Sequence, residues 1–357
     1  MNKKNFEWHI IKNIAELNKI STQWASLIES TTGTPFFSHP DWILNWYNIY
    51  WQENWQLYVI VGFHNKKLTV ILPSYLQHST SWPNISTLYP LGQGEPENEE
   101  VSSEYCDLIV NSEDLEQVIT ELAPLILNIK IDQIIWRSVL IDSAINELLT
   151  RLFNSPNVIT NYQYYIEQPK WSIDLLSKNT RSRYKRACNQ FTKLGAKFQW
   201  VNPNEYDLYV QNMIEYHQGR WTEKGKLGAF SHKNFQLFHQ KLMKLDNGKL
   251  VAMSAIIIKN NPIAINYYLA SNNTLYFYQC GWDELNYARL SPGLILHLWS
   301  ITNSQHSIYD FMMGELTDSY KAKYGCDKKS MTNIIIPINK VKLILNKLIK
   351  KSNILRT

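Results

Sequence analysis

Three side chains in the second half of the sequence have the chemistry of a general acid or base. Tyr320 follows a strand-like run, Asp310 alternates with apolar residues on that run, and His217 stands one helical turn before Arg220. A histidine titrates near neutral pH and a carboxyl group in a half-buried cleft can have a raised pKa, so either could take a proton from a reacting group. Each also has a structural interpretation, as a packing tyrosine, an aspartate bonded to backbone amides or a histidine satisfied between helices.

Neighbouring polar residues could bind the substrate of such a reaction. Arg220 and Trp221 lie on the same predicted helix as His217 and can face the same cleft. Asp283 ends a strand-like run, and Lys321 adjoins Tyr320, where its ammonium could hold a phosphate or a carboxylate. The alternatives are a solvated lysine and a solvated strand end.

The elements around these residues follow a definite order. Strand-like runs at 250–259, 262–271 and 274–282 are separated by asparagine-containing turns, and a helix over 291–301 and a strand over 308–314 come next. A short helix is predicted over 315–325 and a last strand over 332–338. This order predicts an antiparallel meander followed by a helix that leads into a further strand.

That order favours the binding of a ligand with a long arm and a phosphate group. Where two strands splay apart, their free backbone groups can pair with a pantetheine arm, and the amides at a helix N-terminus attract a pyrophosphate. The positions with this layout are Cys280, Gly281, Arg289, Ser291, Pro292 and Gly293. From local sequence alone, the last three are an ordinary helix start, with serine at the cap and proline at the first helical position.

The bulk composition limits the class of protein. A chain of 357 residues with 45% hydrophobic residues fits two globular domains, which we place at 1–168 and 169–357. The net charge of +5 allows a phosphorylated ligand but is weak for a nucleic-acid-binding protein. The four cysteines form no CxxC pair, which argues against a metal site or a disulfide framework. No signal-like apolar run occurs, so we expect a cytoplasmic protein.

Two basic segments stand out. Between Leu175 and Asn204 there are seven lysines and arginines and no acidic residue, in a pattern that predicts a helix with one basic face. This face could bind a CoA 3′-phosphate, nucleic acid or lipid headgroups, or it could be an ordinary solvated face. The segment after Ile338 predicts a basic amphipathic helix that either packs on the C-terminal domain or makes peripheral contact with an anionic membrane.

Longer runs of the sequence resemble a known family. The runs NPIAINYYLASNNTLYFYQCGWDELNYARLSPGLILHLW (261–299) and YDFMMGELTDSYKAKYG (309–325) are similar to the acyltransferase domain of CelD/BcsL-type GNAT proteins, which are associated with cellulose and exopolysaccharide loci. In the first half, TPFFSHPDWILNWY and LGQG resemble the same family, and HQGRW (217–221) resembles its helical segment. The resemblance covers nearly the whole chain.

The resemblance implies an α/β (α+β) fold of two tandem GNAT-like domains related to the FemAB aminoacyltransferases. Each domain would have a mixed, mainly antiparallel sheet flanked by helices. The implied reaction moves an acyl group from acetyl-CoA or another acyl-CoA, without a metal, to an amino or hydroxyl group of a sugar, polysaccharide precursor or related metabolite. Tyr320 then stands where GNAT enzymes carry the tyrosine that protonates the thiolate.

Other functions are compatible with the same resemblance. A FemAB-like enzyme would take its acyl group from aminoacyl-tRNA, and only in that case would a nucleic acid be a partner. A degenerate scaffold would associate with polysaccharide-synthesis machinery without catalysis. In each case the first domain would bind the acceptor or serve as architecture.

Overall fold

The structure, a computed structural model, describes residues 3–31, 33, 35–223, 225–317 and 319–354. Its helices are α1 (Ile14–Lys19), α2 (Ser21–Ser30), α3 (Pro40–Tyr50), α4 (Leu115–Leu127), α5 (Ala144–Phe153), α6 (Lys178–Lys193), α7 (Tyr206–Glu223), α8 (Lys233–Leu242), α9 (Glu284–Tyr287), α10 (Pro292–Asn303) and α11 (Lys340–Ile354). Its strands are β1 (Glu7–Ile11), β2 (Trp55–Leu57), β3 (Val59–His64), β4 (Lys67–Leu72), β5 (Ser74–His78), β6 (Ser86–Pro90), β7 (Ile109–Val110), β8 (Gln133–Leu140), β9 (Ile159–Glu167), β10 (Lys197–Trp200), β11 (Val251–Ile258), β12 (Asn261–Ala270), β13 (Thr274–Trp282), β14 (Ile308–Gly314) and β15 (Asp327–Pro337).

The chain divides into two compact units, one formed by 1–160 with 330–357 and the other by 161–329. The predicted boundary at 168/169 differs from this division at both ends of the second unit. Most of strand β9 belongs to the second unit because it pairs with β14. The C-terminal segment returns to the first unit because β15 pairs with β8 and the Lys342 ammonium lies 2.6 Å from the Asp132 carboxylate.

The first unit contains two strand groups. Strands β1, β3, β4 and β7 form one sheet, and β15, β8, β6, β5 and β2 are neighbours in a second group. Strands β3 and β4 form a hairpin, with His64 opposite Lys67. Helices α4 and α5 supply apolar side chains such as Val118, Leu122 and Leu148 to a core that is shared with these strands.

In the second unit, the strands lie in the order β10, β11, β12, β13, β14 and β9. Neighbours are antiparallel except for β13 and β14, which are parallel. A parallel pair needs a crossover, and α10 provides it. Helix α10 packs on β11 and β12 with residues such as Ile295 and Leu298 fully buried, and α7 packs on β12 and β13. The mixed, mainly antiparallel α/β class is therefore confirmed.

Most predicted elements of the second unit appear close to their expected bounds. Strands 274–282 and 308–314 match the prediction, and the helix predicted over 291–301 spans α10. The basic helix ends earlier than expected, because Gly195 adopts a left-handed φ of +67° and Lys197 already begins β10. The helix predicted over 315–325 is a 3-10 helix limited to Tyr320–Tyr324.

Within the described ranges, no helix is long and apolar enough to cross a membrane. The same residues contain no group of three or more His, Cys, Asp or Glu side chains that could hold a metal ion. The four cysteines are free thiols.

Candidate active site

The central feature of the second unit is an opening between β13 and β14. The two strands are paired through only three positions, Thr274 with Ile308, Leu275 with Tyr309 and Tyr276 with Asp310. On its other side β13 remains paired with β12 as far as Trp282. Among the described residues, the later parts of β13 (277–282) and β14 (311–314) are not paired with each other. We call this opening the wedge; its β13 edge has backbone groups that can bond to an extended ligand.

Strand β14 turns away from β13 at a bulge. Its pairing with β9 shifts register between Asp310 and Met313, and Met312 has a φ of +62°. The fully buried Asp310 carboxylate stabilises this bend, since it accepts hydrogen bonds from the Met312 backbone N–H and the Gln163 side chain, each at 2.6 Å. The proposed role of Asp310 as a base is not supported, because both carboxylate oxygens are used in shaping the strand.

Lys321 also holds the bend. Its ammonium is buried and donates to the main-chain carbonyls of Phe311 at 2.5 Å, of Met312 at 3.4 Å and of Met313. These carbonyls lie at the bulge, where the regular ladder is interrupted. The prediction that Lys321 binds substrate directly is therefore not supported, since its donors point into the wall of the wedge.

Tyr320 lies beside the wedge, at the first position of the 3-10 helix that follows β14. Its side chain is 47% exposed, and partial burial together with the nearby Cys280 thiol raises its pKa, an effect that the Arg220 guanidinium opposes. Arg220 also lowers the pKa of Cys280, which burial raises. The structure thus brings three predicted site residues together, and the phenol keeps its proton at neutral pH.

His217 is not placed to act as a base. Its Nε2 accepts a hydrogen bond from the Trp221 indole at 3.0 Å, and its Nδ1 lies 3.2 Å from Gln218 Oε1. Burial lowers its pKa, and its ring packs edge-on against Phe230. With both ring nitrogens bonded, His217 ties the end of α7 to the following loop. The prediction that Trp221 binds substrate is weakened for the same reason, because its N–H is used in this contact.

The start of α10 was predicted to bind a pyrophosphate. Ser291 takes the N-cap position in a left-handed conformation, with φ +52°, and its hydroxyl makes no capping bond to the helix. Instead, Ser291 Oγ accepts a hydrogen bond from the exposed Arg183 guanidinium of α6. Pro292 begins the helix, and Arg289 is exposed just before it. The basic face of α6 and the positive end of α10 therefore meet at one place.

Two predicted positions have structural roles. Asp283 caps the short helix α9, where its carboxylate accepts from the Asn286 backbone at 3.1 Å and from the Asn286 side chain at 2.8 Å. Gly281 lies against α7 so closely that a Cβ atom would come within 3.0 Å of the Met213 main-chain carbons, and nearer still to its oxygen. The Asp283 cap is a local feature, whereas the close approach at Gly281 depends on the packing of α7 against β13.

The close approach at Gly281 gives a testable effect on stability. Gly281→Ala should lower the free energy of unfolding by about 1–3 kcal/mol, because α7 must move away from β13. Gly219→Ala on the same helix is the control; its Cβ would meet nothing within 4 Å, so the change should be neutral or stabilising by up to about 1 kcal/mol. Urea denaturation of both variants measures the difference, and equal stabilities would contradict this packing.

His297 is the site residue that sequence reasoning missed. It lies in the middle of α10 and is buried, with its ring 4.3 Å from Phe277 of β13 and 5.1 Å from Tyr324, centroid to centroid. Phe311 of β14 lies 5.2 Å away, so aromatic rings from both diverging strands contact this histidine. The only signal in the sequence was a polar residue at an apolar position of a helix.

A chain of hydrogen bonds leads from His297 into the core. Tyr309 Oη lies 2.7 Å from His297 Nδ1 and 3.3 Å from Tyr268 Oη. Tyr268 is held in turn by Ser254 and by Asn266. No hydrogen-bond partner of Nε2 is found in the part of the chain that the structure describes.

The environment of His297 predicts a pH effect. Burial, with a smaller contribution from the Lys321 charge, lowers the pKa of His297 to about 3. In the unfolded chain His297 binds a proton below about pH 6.5, whereas in the folded chain it stays neutral down to about pH 3. The free energy of unfolding should therefore fall as the pH decreases from 6.5 toward 3. His297→Asn should flatten this dependence by up to about 1.4 kcal/mol per pH unit. An unchanged slope in denaturation curves would show that the ring is not held neutral.

Comparisons with known proteins agree with this geometry. Residues 178–322 match the family described as Acetyltransferase (GNAT) domain, a segment that contains α10, the wedge and Tyr320. The matched segment lies within the second unit. Among curated proteins, none matches the sequence significantly.

Solved structures show the fold of the chain as a whole. FemX matches with a TM-score of 0.62 at 9% identity, over 95% of this chain and 99% of FemX. The C-terminal domain of a putative lysylphosphatidylglycerol synthetase from Agrobacterium fabrum matches with a TM-score of 0.52 at 8% identity, over 92% and 95% of the two chains. A conserved protein of unknown function from Bacteroides thetaiotaomicron matches with a TM-score of 0.51 at 9% identity, over 92% and 100%. The chain thus has a FemX-like fold, and its residues 178–322 match the GNAT acetyltransferase family.

Proposed function

We propose that this protein transfers an acyl group, in the first instance acetyl, from acyl-CoA to an amino or hydroxyl group of a sugar, polysaccharide precursor or related metabolite. The observation that carries the proposal is the wedge. It offers an unpaired β13 edge within a domain that matches the acetyltransferase family, with a helix N-terminus after β13 and a protonated phenol after β14.

The start of α10 supports binding of the phosphate end of the cosubstrate. The first backbone N–H groups of a helix lack intrahelical partners, and the helix dipole adds positive potential there. Arg183 supplies a full positive charge at Ser291. Gly293 lies in the first turn, where an added Cβ would be only 3.3 Å from the Trp282 indole nitrogen. A bulkier residue would therefore crowd the place at which a pyrophosphate would bind.

The other end of the cosubstrate would lie along the β13 edge with its thioester near Tyr320. Attack by the acceptor amine or hydroxyl on the thioester carbonyl forms the new acyl bond and breaks the C–S bond. The departing thiolate takes the Tyr320 phenolic proton, and the acceptor loses one proton. The acceptor's proton passes to solvent, because both ring nitrogens of His217 are bonded and the pKa of His297, lowered to about 3 by burial, makes that ring a poor proton acceptor at neutral pH.

The nature of the acceptor and its setting rest on the sequence resemblance. The association of CelD/BcsL-type proteins with polysaccharide loci favours a saccharide acceptor, a cytoplasmic location and association with polysaccharide-synthesis machinery. The first unit is proposed to bind the acceptor or to serve as architecture.

One observation favours the aminoacyl-tRNA alternative. Helix α6 exposes a row of cations with no acidic residue on the helix, namely Lys178, Arg183, Lys185, Arg186 and Lys193. Phosphate contacts along such a face would make RNA binding strongly dependent on salt. The match to the acetyltransferase family favours acyl-CoA as the donor, so tRNA remains the second candidate.

A comparison of donors tests the proposal. The purified chain is incubated with acetyl-CoA and a panel of amino sugars and sugar nucleotides, and thiol release is followed with a chromogenic disulfide. In parallel, labelled aminoacyl-tRNA is offered to the same acceptors. Acceptor-dependent thiol release supports the proposal. Transfer only from aminoacyl-tRNA would establish the alternative, and the absence of both together with no CoA binding would favour a scaffold.

A further inference from the structure

Helix α11 carries an exposed apolar stripe on the face that is turned away from its own unit. Val341, Ile344, Leu345 and Leu348 are 78%, 58%, 38% and 61% exposed. At about 100° per residue, these four positions fall within an arc of about 100° on one side of the helix. A surface helix normally turns such a stripe toward the core. Here the stripe faces outward, and we call it the outer face of α11.

Polar contacts hold the opposite side of the helix. The Lys342 ammonium donates to Asp132 Oδ2 at 2.6 Å, and Asn339, just before the helix, donates its backbone N–H to the Asp132 carbonyl at 2.9 Å. One turn later the buried Asn346 side chain donates to the Pro83 carbonyl at 3.4 Å. The helix is thus fixed by hydrogen bonds and an ion pair, which leaves its apolar stripe available to a partner.

Charge defines what would fit this surface. Lys340, Lys347 and Lys351 are exposed along one flank of the stripe, and the helix contains no acidic residue. An exposed apolar stripe bordered by lysines is the composition that binds at the headgroup level of an anionic bilayer.

We infer that the outer face of α11 is a docking surface for an anionic lipid bilayer. The apolar stripe would enter the boundary between headgroups and acyl chains, and the flanking lysines would reach the lipid phosphates with their stems along the stripe. This surface lies within the first unit and does not depend on the acyltransferase chemistry proposed for the second.

Vesicle cosedimentation of the full chain tests this inference. Binding should be strong to vesicles of phosphatidylcholine with about one third phosphatidylglycerol, and at least about tenfold weaker to phosphatidylcholine alone. V341Q/I344Q/L348Q should bind the anionic vesicles at least about tenfold more weakly. K340Q/K347Q/K351Q should also bind the anionic vesicles more than about tenfold more weakly, and most of the affinity that remains should be insensitive to salt.

The matched control removes three exposed leucines elsewhere. L175Q/L208Q/L227Q changes side chains that are 60%, 56% and 80% exposed in the second unit, and it should bind like the wild type. Circular dichroism confirms that each variant is folded, as expected for outward-facing positions. Failure of the wild type to bind anionic vesicles at low salt would overturn the inference, as would equal loss in the control. A concentration-dependent dimer that disappears in V341Q/I344Q/L348Q, without vesicle binding, would assign the surface to a second copy of the chain.

Discussion

Tyr320→Phe is expected to lower kcat for acyl transfer from acetyl-CoA by about 10²-fold or more, while the Kd for acetyl-CoA stays within about twofold of the wild type. The substitution removes only the phenolic hydroxyl. That group sits beside Cys280 and Arg220 with a raised pKa, so it is protonated when the thiolate leaves. Without it the thiolate must depart as an anion or take its proton from water. Steady-state kinetics and calorimetry on the same preparation separate the two effects.

The control for Tyr320 is Tyr47→Phe in the first unit. Tyr47 is also partly buried, and burial raises its pKa, so the chemical change is the same. It should leave kcat unaltered. If Tyr320→Phe also retains full kcat, the proton donor lies elsewhere, and the phenol has no part in the transfer. A loss of acetyl-CoA affinity in place of kcat would make Tyr320 a binding residue.

Lys321→Met is expected to lower the free energy of unfolding by about 3 kcal/mol. The methionine fills a similar volume but leaves the carbonyls of Phe311, Met312 and Met313 without their buried charged donor. Because these carbonyls form the bulge at which β14 leaves β13, the wedge itself should loosen. Urea denaturation measures the loss, and hydrogen exchange of the β14 amides should rise in the folded variant.

Lys323→Met serves as the matched control, since Lys323 is exposed in the same 3-10 helix. It should change stability by less than about 0.5 kcal/mol. The original hypothesis for Lys321, that it binds a substrate phosphate or carboxylate, predicts the reverse pattern. In that case Lys321→Met would raise KM and leave the denaturation midpoint unchanged.

Local sequence patterns were sufficient for several elements of the second unit. The strand bounds of β13 and β14 and the start of α10 followed from alternation, asparagine turns and the Ser-Pro pair. These elements also indicated where a candidate site would lie, because a helix N-terminus and strand ends are local features. Tyr320 was named from the family resemblance, and its proximity to Cys280 is seen only in the structure.

The roles of single polar residues could not be derived in the same way. Asp310, Lys321 and His217 were chosen for their chemistry, but the structure uses each of them in hydrogen bonds that shape its own surroundings. Gln163, which binds Asp310, lies 147 residues earlier in the chain. His297 was missed because its hydrogen-bond partner Tyr309 lies on β14, and Tyr268, which bonds to Tyr309, lies on β12. The domain boundary was also mispredicted because it depends on long-range strand pairs, β9 with β14 and β15 with β8.

The most direct test of the account is calorimetric titration of the wild type and of Gly293→Val with acetyl-CoA and with CoA. The wild type should bind both with a micromolar Kd, and the variant should bind at least about tenfold more weakly, because its side chain would crowd the first turn of α10 beside Trp282. Stability measurements on the variant confirm that the site is otherwise intact. Absence of binding to the wild type at millimolar ligand would contradict acyl-CoA use, and unchanged affinity in Gly293→Val would show that the pyrophosphate binds elsewhere.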